Sequence, residues 1–360
     1  MKKKRAEAPT MRRVAEVAGV SLGTVSRVLN AKGNVSPEIQ ATVKRVIGEL
    51  GYRPNVAAQT MRSEVSRTVA CVIRDSSVAG FAQFVRAADE VLSSAGYTLM
   101  LANSAGRIDR ELELVSRLTA RRVDALLIAQ SSEANEAFGM RLQETGIPVV
   151  LIDREKPAWA DSVMLDHCAG TRQATAKLLQ LGHRRIALLT GEPTLYPAAQ
   201  RIIGYELAFA AANLPVDRQL IRTGGFEAKF GFEQTSMLLY PAHRPTAIIS
   251  GGIDMLPGII RAIRARGLSI PEDVSVVGSM NSDLADLHQP SISVEDWDYS
   301  EVGRIGANLA LHRISTGQTR EPRRVLVPTR FLVRESIARL GKDRGRRTSG
   351  KRPRKSGSAT

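Results

Sequence analysis

Residues 10–30 read TMRRVAEVAGVSLGTVSRVLN and predict two short helices joined by a tight turn. Thr10 is placed to cap the first helix, Gly19 to end it, and Ser21 to cap the second. One apolar face of the first helix would be formed by Val14, Ala15, Val17 and Ala18. Two short helices around a glycine-containing turn predict a helix-turn-helix, a unit whose second helix enters the major groove of DNA.

The second helix of this pair has two chemically different sides. Its inward side would consist of Val25, Val28 and Leu29. Its outward side would consist of Leu22, Gly23, Thr24, Ser26, Arg27 and Asn30. Arg27 is the predicted base reader, because a guanidinium can pair with O6 and N7 of guanine. Thr24, Ser26 and Asn30 suit phosphate or mixed contacts. A helical hairpin with another role is the alternative interpretation.

A third helix is predicted after a short connection. Ser36 would cap it, and Pro37 would lie in its first turn, where a missing N–H costs nothing. Its apolar face would consist of Ile39, Val43, Val46, Ile47 and Leu50. The three helices predict a small all-α helix-turn-helix DNA-binding domain over residues 10–54, preceded by a basic arm over residues 1–9.

Two segments of this domain resemble the DNA-binding head of the lactose/galactose repressor (LacI/GalR) family of bacterial transcription factors. They are VAEVAGVSLGTVSRVLN (14–30) and NVSPEIQATVKRVIGELGYRPN (34–55). One departure is Arg13, where the family usually has an acidic residue. To the outward side of the second helix we add Ser21, Tyr52 and Asn55 as predicted DNA-contacting residues.

Residues 55–67 are predicted to form a hinge between the head and the rest of the chain. The stretch NVAAQTMRS (55–63) can form a helix but is too short for a stable isolated one. The resemblance implies that this segment folds on DNA and that Met61 wedges between base pairs in the minor groove. A plain flexible linker with an exposed Met61 is the alternative.

The charge of the 360-residue chain is concentrated at its ends. The formal net charge is +15, yet residues 1–62 hold 12 Lys/Arg against 4 Asp/Glu, and residues 341–360 hold 8 against 1. The residues between them hold 31 Lys/Arg against 31 Asp/Glu, so the body is neutral and the two ends are basic. Basic ends predict an anionic partner. The tail over 341–360 lacks the apolar residues for a core, and it would either bind DNA phosphates or remain a solvated tail.

Cellular location is predicted from what the sequence does not contain. No apolar run approaches the roughly 20 residues of a membrane helix, and no secretory signal is found. The two cysteines, Cys71 and Cys168, are interpreted as buried free thiols in apolar surroundings. We therefore expect a cytoplasmic, nucleoid-associated protein without membrane contact.

Apolar runs alternate with helical patterns from residue 68 onward, which predicts an α/β body. The predicted buried strands are TVACVIRD (68–75), YTLMLANS (97–104), VDALLIAQ (123–130), PVVLIDR (148–154), RIALLTG (185–191), TAIISG (246–251) and VSVVGSM (274–280). The expected architecture is two doubly wound parallel-sheet lobes. The predicted sensing and dimerisation domain is 68–340, with an N-lobe of about 68–166 and 297–329 and a C-lobe of about 167–296 and 330–340.

The family resemblance extends through this body, roughly over residues 11–338, on segments such as LGHRRIALLTG (181–191) and GLSIPEDVSVVG (267–278). It implies a periplasmic-binding-protein-like fold whose two lobes close on a small-molecule effector. The candidate effector-binding residues are Asp75, Phe81, Asp166, Ala199, Phe226, Asp254, Met280 and Asn281. Ala199 replaces the family's usual arginine, and several usual polar residues are missing. We therefore expect a cleft less polar than a sugar site and an atypical effector, with a degenerate cleft as the rival and a core role as the alternative for Phe226.

The sequence gives no sign of an enzyme. Phosphate-binding glycine loops, metal-ligand spacings and nucleophile motifs are absent, so neither a cofactor nor a metal is expected. Glu295, Asp296 and Asp298 surround Trp297 and are interpreted as a solvated acidic loop.

The combined prediction is a homodimeric DNA-binding repressor that reads a near-palindromic, double-stranded operator and responds to an effector that is carbohydrate-related or atypical. The alternatives are a solute-binding transport protein and an activator or architectural DNA binder with an idle cleft.

Overall fold

The computed structural model of the chain describes residues 9–29, 34–52, 65–240, 244–317 and 321–341. The chain divides into two compact units, a head that ends at Ser66 and a body that begins at Arg67. Asn30, Asn55 and Met61 lie outside the described residues, as do the arm over 1–8, most of the hinge and the tail over 342–360.

The head consists of helices α1 (Met11–Ala18), α2 (Leu22–Leu29) and α3 (Pro37–Leu50). Thr10 Oγ1 accepts a hydrogen bond from the Arg13 N–H at 3.2 Å, and Gly19 ends α1 in the left-handed conformation, with φ at 65°. The core shared by the three helices consists of Val14, Ala15, Val25, Val43, Val46 and Tyr52. The three helices therefore pack through the apolar faces that the sequence predicts and form a compact domain.

The body alternates strands and helices along its length. In chain order its elements are β1 (Thr68–Ile73), α4 (Ala79–Ser94), β2 (Thr98–Asn103), α5 (Ile108–Ala120), β3 (Ala125–Ile128), α6 (Glu136–Glu144), β4 (Val149–Ile152), β5 (Asp161–Leu165), α7 (His167–Gln180), β6 (Ile186–Gly191), α8 (Tyr196–Ala211), β7 (Ile221–Gly224), α9 (Ala228–Leu238), β8 (Ala247–Ser250), α10 (Met255–Ala265), β9 (Ser275–Ser279), α11 (Asp283–Leu287), β10 (Ser293–Asp296), α12 (Tyr299–Thr316), β11 (Arg324–Val327) and β12 (Arg330–Leu332).

The N-lobe is built on a parallel sheet in the order β11-β5-β4-β3-β1-β2. One face of this sheet packs against α4 and α12, through a cluster that includes Phe84 and Val302. The other face packs against α5 and α6, through a cluster that includes Val115 and Phe138. Because helices cover both faces, β1, β3 and β4 are almost entirely apolar.

The C-lobe is built on a second sheet in the order β12-β10-β9-β8-β6-β7, in which β12 alone runs antiparallel to its neighbour. Leu256 and Ile259 of α10 fill one face of this sheet, and Tyr205 and Phe209 of α8 fill the other. The described residues thus form two doubly wound lobes, as the sequence predicts.

The chain passes between the lobes three times, and we call these passages the crossovers. They lie between β5 and α7, between β10 and α12, and between β11 and β12. Strands of both lobes end with their carboxyl ends near these passages, the position at which open α/β sheets bind ligands.

The interpretation of residues 295–298 as a solvated acidic loop is wrong. Glu295 and Asp296 belong to β10, which pairs with β9 on one side and β12 on the other. Glu295 is fully buried, and Trp297 is only 6% exposed. The strand tolerates these carboxylates because basic side chains approach them, Arg201 at 3.7 Å from Glu295 and Arg330 at 2.9 Å from Asp296. The burial expected of both cysteines holds for Cys71, whereas Cys168 is only half-buried.

Candidate functional site

The second helix of the head presents the predicted DNA-contacting residues together. Ser21 Oγ accepts a hydrogen bond from the Thr24 N–H at 3.1 Å and lies 2.9 Å from Thr24 Oγ1, so both hydroxyls stabilise the start of α2. Val25 is fully buried and anchors the helix to the head's core. The exposed side of α2 is thereby fixed in orientation.

Exposure divides the outward side of α2 into two groups. Leu22, Gly23 and Arg27 are exposed, whereas Thr24 and Ser26 are half-buried. The guanidinium of Arg27 reaches back over the first turn of the helix, since a Cβ added at Gly23 would lie 3.7 Å from Arg27 Nη2. The arginine that is expected to read a base therefore lies in ordinary contact range of position 23.

The structure does not support the prediction that Tyr52 contacts DNA. Its side chain belongs to the core of the head and is only 9% exposed, with its N–H bonded to the Ile47 carbonyl at 3.0 Å. The ring packs where α3 ends, so we assign Tyr52 to the core of the head and not to its DNA-contacting surface. The sequence places it next to Gly51 at the helix end, a position that does not distinguish packing from DNA contact.

A cavity of about 400 Å³ lies between the two lobes, and we call it the effector cleft. Three of the eight candidate effector residues line it, namely Phe81, Phe226 and Asp254. Residues of both lobes also line it, among them Arg74, Ser131, Asp153, Arg154, His167, Glu192, Leu195, Pro197, Arg201, Glu227, Trp297 and Tyr299. Charged groups of both signs therefore surround the cavity, which does not fit the expectation of a cleft less polar than a sugar site.

Five candidate effector residues do not line the cleft, and the structure gives four of them other contacts. Asp75 is exposed and accepts a hydrogen bond from the Ser77 N–H at 2.9 Å. Asp166 caps α7 by accepting from the Ala169 N–H at 2.9 Å. Met280 is buried in the N-lobe core cluster, Asn281 Oδ1 accepts from Arg334 Nη2 at 2.7 Å, and Ala199 lies half-buried on α8.

Three of the charged residues that line the cleft, and that were not predicted from the sequence, directly follow a strand. Arg74 directly follows β1, Asp153 follows β4 and Glu192 follows β6. A charged residue immediately after an apolar strand is the signal that could have identified them, since such ends meet at the ligand-binding edge of a doubly wound sheet.

Phe226 supplies an aromatic wall of the cleft. Its ring fits closely among glycines, because a Cβ at Gly191 would collide with the ring and a Cβ at Gly252 would lie 2.9 Å from it. The Arg74 guanidinium lies 5.6 Å from the ring centroid, within range of a cation–π interaction between the lobes. Phe226 also packs against the C-lobe core, so its aromatic ring belongs to both cleft and core.

The floor of the cleft is a buried polar cluster beside the crossovers. His167 Nε2 lies 3.0 Å from both oxygens of Asp153, and its ring meets Trp297 edge-on with the centroids 5.4 Å apart. Burial, with help from Arg201, lowers the pKa of His167. Burial opposes ionisation of Asp153, but His167 and nearby arginines lower its pKa overall. The neutral imidazole therefore donates to an ionised carboxylate.

Arg201 and Glu295 extend this cluster into the C-lobe. The Arg201 guanidinium lies 5.7 Å from the Trp297 ring centroid and donates to the Pro197 carbonyl at 3.1 Å. Burial raises the pKa of Glu295 to about 7, against the opposing charge of Arg201. Asp254, which also lines the cavity, has a raised pKa as well, because its burial outweighs the attraction of Arg74.

Comparison with known proteins identifies the chain. Its residues 10–55 match the family of bacterial regulatory proteins described as the lacI family, and residues 175–337 match the periplasmic binding protein-like domain. The HTH-type transcriptional regulator CelR of Thermobifida fusca is 35% identical over 339 residues, which is 91% of this chain and 98% of the relative. The chain belongs to the lacI family.

Solved structures agree with this membership. A complex of the transcriptional regulator CelR with cellobiose has a TM-score of 0.68 at 33% identity, covering 91% of this chain and 99% of that one. The Lac repressor dimer bound to operator and the anti-inducer ONPF has a TM-score of 0.81 at 26% identity, covering 92% and 100%. The family resemblance and the fold class predicted from the sequence are therefore confirmed.

Membership in the lacI family makes this protein a DNA-binding transcriptional regulator and not an enzyme. It also decides against the transport alternative, because the family match includes the head. Within the described part of the chain, no helix is long and apolar enough to cross a membrane.

Proposed function

We propose that this lacI-family protein is a repressor that binds a near-palindromic operator as a homodimer and is controlled by a carbohydrate-class effector in the cleft. The observation that carries the proposal is the pairing of an exposed, arginine-bearing α2 with a cavity between two lobes. The similarity to a Lac repressor dimer on its operator and to a CelR–cellobiose complex supports both halves. We place its action on chromosomal DNA in the cytoplasm.

In the head, Arg27 reads a base edge, while Ser21, Thr24 and Ser26 contact phosphates and Leu22 and Gly23 allow close approach to the groove. Asn30, Asn55 and Met61 complete this set, with Met61 as the minor-groove wedge. A two-fold dimer presents two such surfaces, and this is the reason to expect a near-palindromic site.

In the cleft, the proposed carbohydrate meets paired donors and acceptors. Sugar hydroxyls lose hydrogen bonds to water on binding, and carboxylates beside guanidinium groups can replace both kinds. Asp153 and Glu227 offer acceptors, Arg74 and Arg154 offer donors, and Phe226 offers an apolar ring face. This composition favours a polyhydroxylated ligand over an apolar one.

Two measurements test the proposal. Selection of bound sequences from a random DNA library with the full-length protein should give a site with two inverted half-sites. Calorimetric titration with mono- and disaccharides should then show one ligand that binds and changes the protein's affinity for the selected site, and the selected DNA should change the affinity for that ligand by the same factor. A non-palindromic site would contradict the homodimeric mode, and a cleft that binds no sugar would support the ligand-insensitive alternative.

A further inference from the structure

Besides the crossovers, the carboxylate of Glu133 joins the lobes directly. Glu133 lies in the N-lobe, in the loop between β3 and α6. Its Oε1 accepts from the backbone N–H groups of Glu155 and Lys156, at 2.6 and 3.0 Å. Its Oε2 accepts from the Tyr196 N–H at 2.5 Å. Tyr196 begins α8 of the C-lobe, so the two oxygens of one side chain are bonded to different lobes.

Helix α8 has a specific need for this contact. Its N-cap residue, Leu195, carries no side-chain acceptor, and Pro197 has no N–H to offer. The Tyr196 N–H thus has no acceptor within its own helix and lies at the positive end of a 16-residue helix. An ionised carboxylate is the favoured partner at such an end. A C-lobe helix is therefore capped by an N-lobe residue.

The side chain of Tyr196 makes a second contact between the lobes. Its hydroxyl donates to the Leu165 carbonyl at 3.2 Å, at the end of β5 in the N-lobe. Burial raises the pKa of this hydroxyl, and the carboxylates of Asp153 and Asp166 raise it further. The phenol therefore stays protonated and remains a donor.

These contacts lie at the edge of the effector cleft. Ser131 and Arg154 line the cavity beside Glu133, and Leu195 and Pro197 line it on either side of Tyr196. A separation of the lobes would break the bonds made by Tyr196, whereas the bonds from Glu133 to Glu155 and Lys156 lie within the N-lobe and would persist. The contact is thus formed only when the lobes approach.

We propose that Glu133 is a positioning residue that latches the effector cleft closed by capping α8 of the opposite lobe. This inference rests on the proposed function in one respect, namely that closure of the cleft serves effector binding. Removal of the Glu133 side chain would make closure of the cleft less favourable without changing the head or the residues that line the cavity.

Hydrogen–deuterium exchange of the full-length protein without ligand tests the latch directly. Glu133→Ala should speed exchange of the Tyr196 amide roughly ten- to a hundred-fold, the effect of losing one charge-assisted hydrogen bond. Glu133→Gln, which keeps one acceptor oxygen and the size of the side chain, should show a smaller increase. Glu136→Ala, at an exposed position in the first turn of α6, is the matched control and should leave that amide unchanged.

Small-angle X-ray scattering measures the separation of the lobes through the radius of gyration, which would not change if Glu133 only stabilised the start of α8. Glu133→Ala and Tyr196→Phe should each increase the radius of gyration of the ligand-free protein, and the control should not. An unchanged Tyr196 amide in Glu133→Ala, or faster exchange spread evenly over the body, overturns the latch. Because no sugar enters these measurements, failure of the latch and failure of the proposed effector class remain distinguishable.

Discussion

The buried carboxyl of Glu295 should make the stability of the protein depend on pH in a predictable direction. Glu295 lies in β10 at a crossover, fully buried, and its nearest cation is Arg201 at 3.7 Å, which is longer than a hydrogen bond. Burial therefore raises its pKa from 4.5 to about 7. Replacing it by glutamine keeps the shape and removes the ionisation.

The magnitude follows from proton linkage. The folded protein holds the Glu295 proton more tightly than the unfolded chain, so this group lowers the free energy of unfolding as the pH rises from 4.5 to 7. A shift of this size corresponds to about 3 kcal/mol once the pH exceeds both pKa values. As the pH rises from 4.5 to 7.5, the free energy of unfolding of Glu295→Gln should therefore increase by about 3 kcal/mol relative to that of the wild type.

Urea unfolding followed by circular dichroism at half-unit pH steps measures this difference. The titrations of His167 and Asp153 occur in both proteins, so their contributions largely cancel in the comparison. Glu136→Gln, at an exposed site, should show no comparable trend. A difference between Glu295→Gln and the wild type that stays constant across this range would refute the reasoning, because it would mean that Glu295 is ionised throughout.

Three further predictions concern the two proposed sites. Arg27→Ala should weaken operator binding by about 1–3 kcal/mol and relax specificity at one base pair in each half-site, measured by fluorescence anisotropy; unchanged operator affinity would remove Arg27 as a reader. Gly191→Ala should displace the Phe226 ring and abolish sugar binding in calorimetry, while operator affinity without ligand stays as in the wild type. Met61→Gly should weaken operator binding more than binding to random DNA, whereas equal losses on both would argue against the wedge.

Sequence patterns predicted the fold wherever burial on both faces made the pattern strong. The runs at β1, β3, β4 and β6 are almost entirely apolar and were predicted as strands. The strand β10 has the sequence SVED, whose two carboxylates resemble a surface loop. Only its pairing with two neighbouring strands and the approach of arginines from elsewhere in the chain make it a buried strand, and none of these is local information.

The candidate site was predicted less completely, for a related reason. The family resemblance pointed to Phe81, Phe226 and Asp254, and these three line the cleft because each lies just beyond a strand or at the start of a helix near the sheet edge. The contact between Glu133 and Tyr196 joins residues 63 positions apart in separate lobes. No periodicity encodes that pairing, since it depends on how closely the two lobes approach.

Helix α8 connects the polar groups of the cleft in one rigid element. Its first residue, Tyr196, is capped by Glu133 of the other lobe, and one turn later Arg201 reaches Glu295 and the Trp297 ring beside the crossovers. The helix is held firmly on α7, because a Cβ at Gly204 would collide with the Cys168 carbonyl. Close packing makes α8 resist movement of one end alone. We therefore expect a ligand that contacts Arg201 to affect the cap at Tyr196 as well, so that the floor and the edge of the cleft respond together.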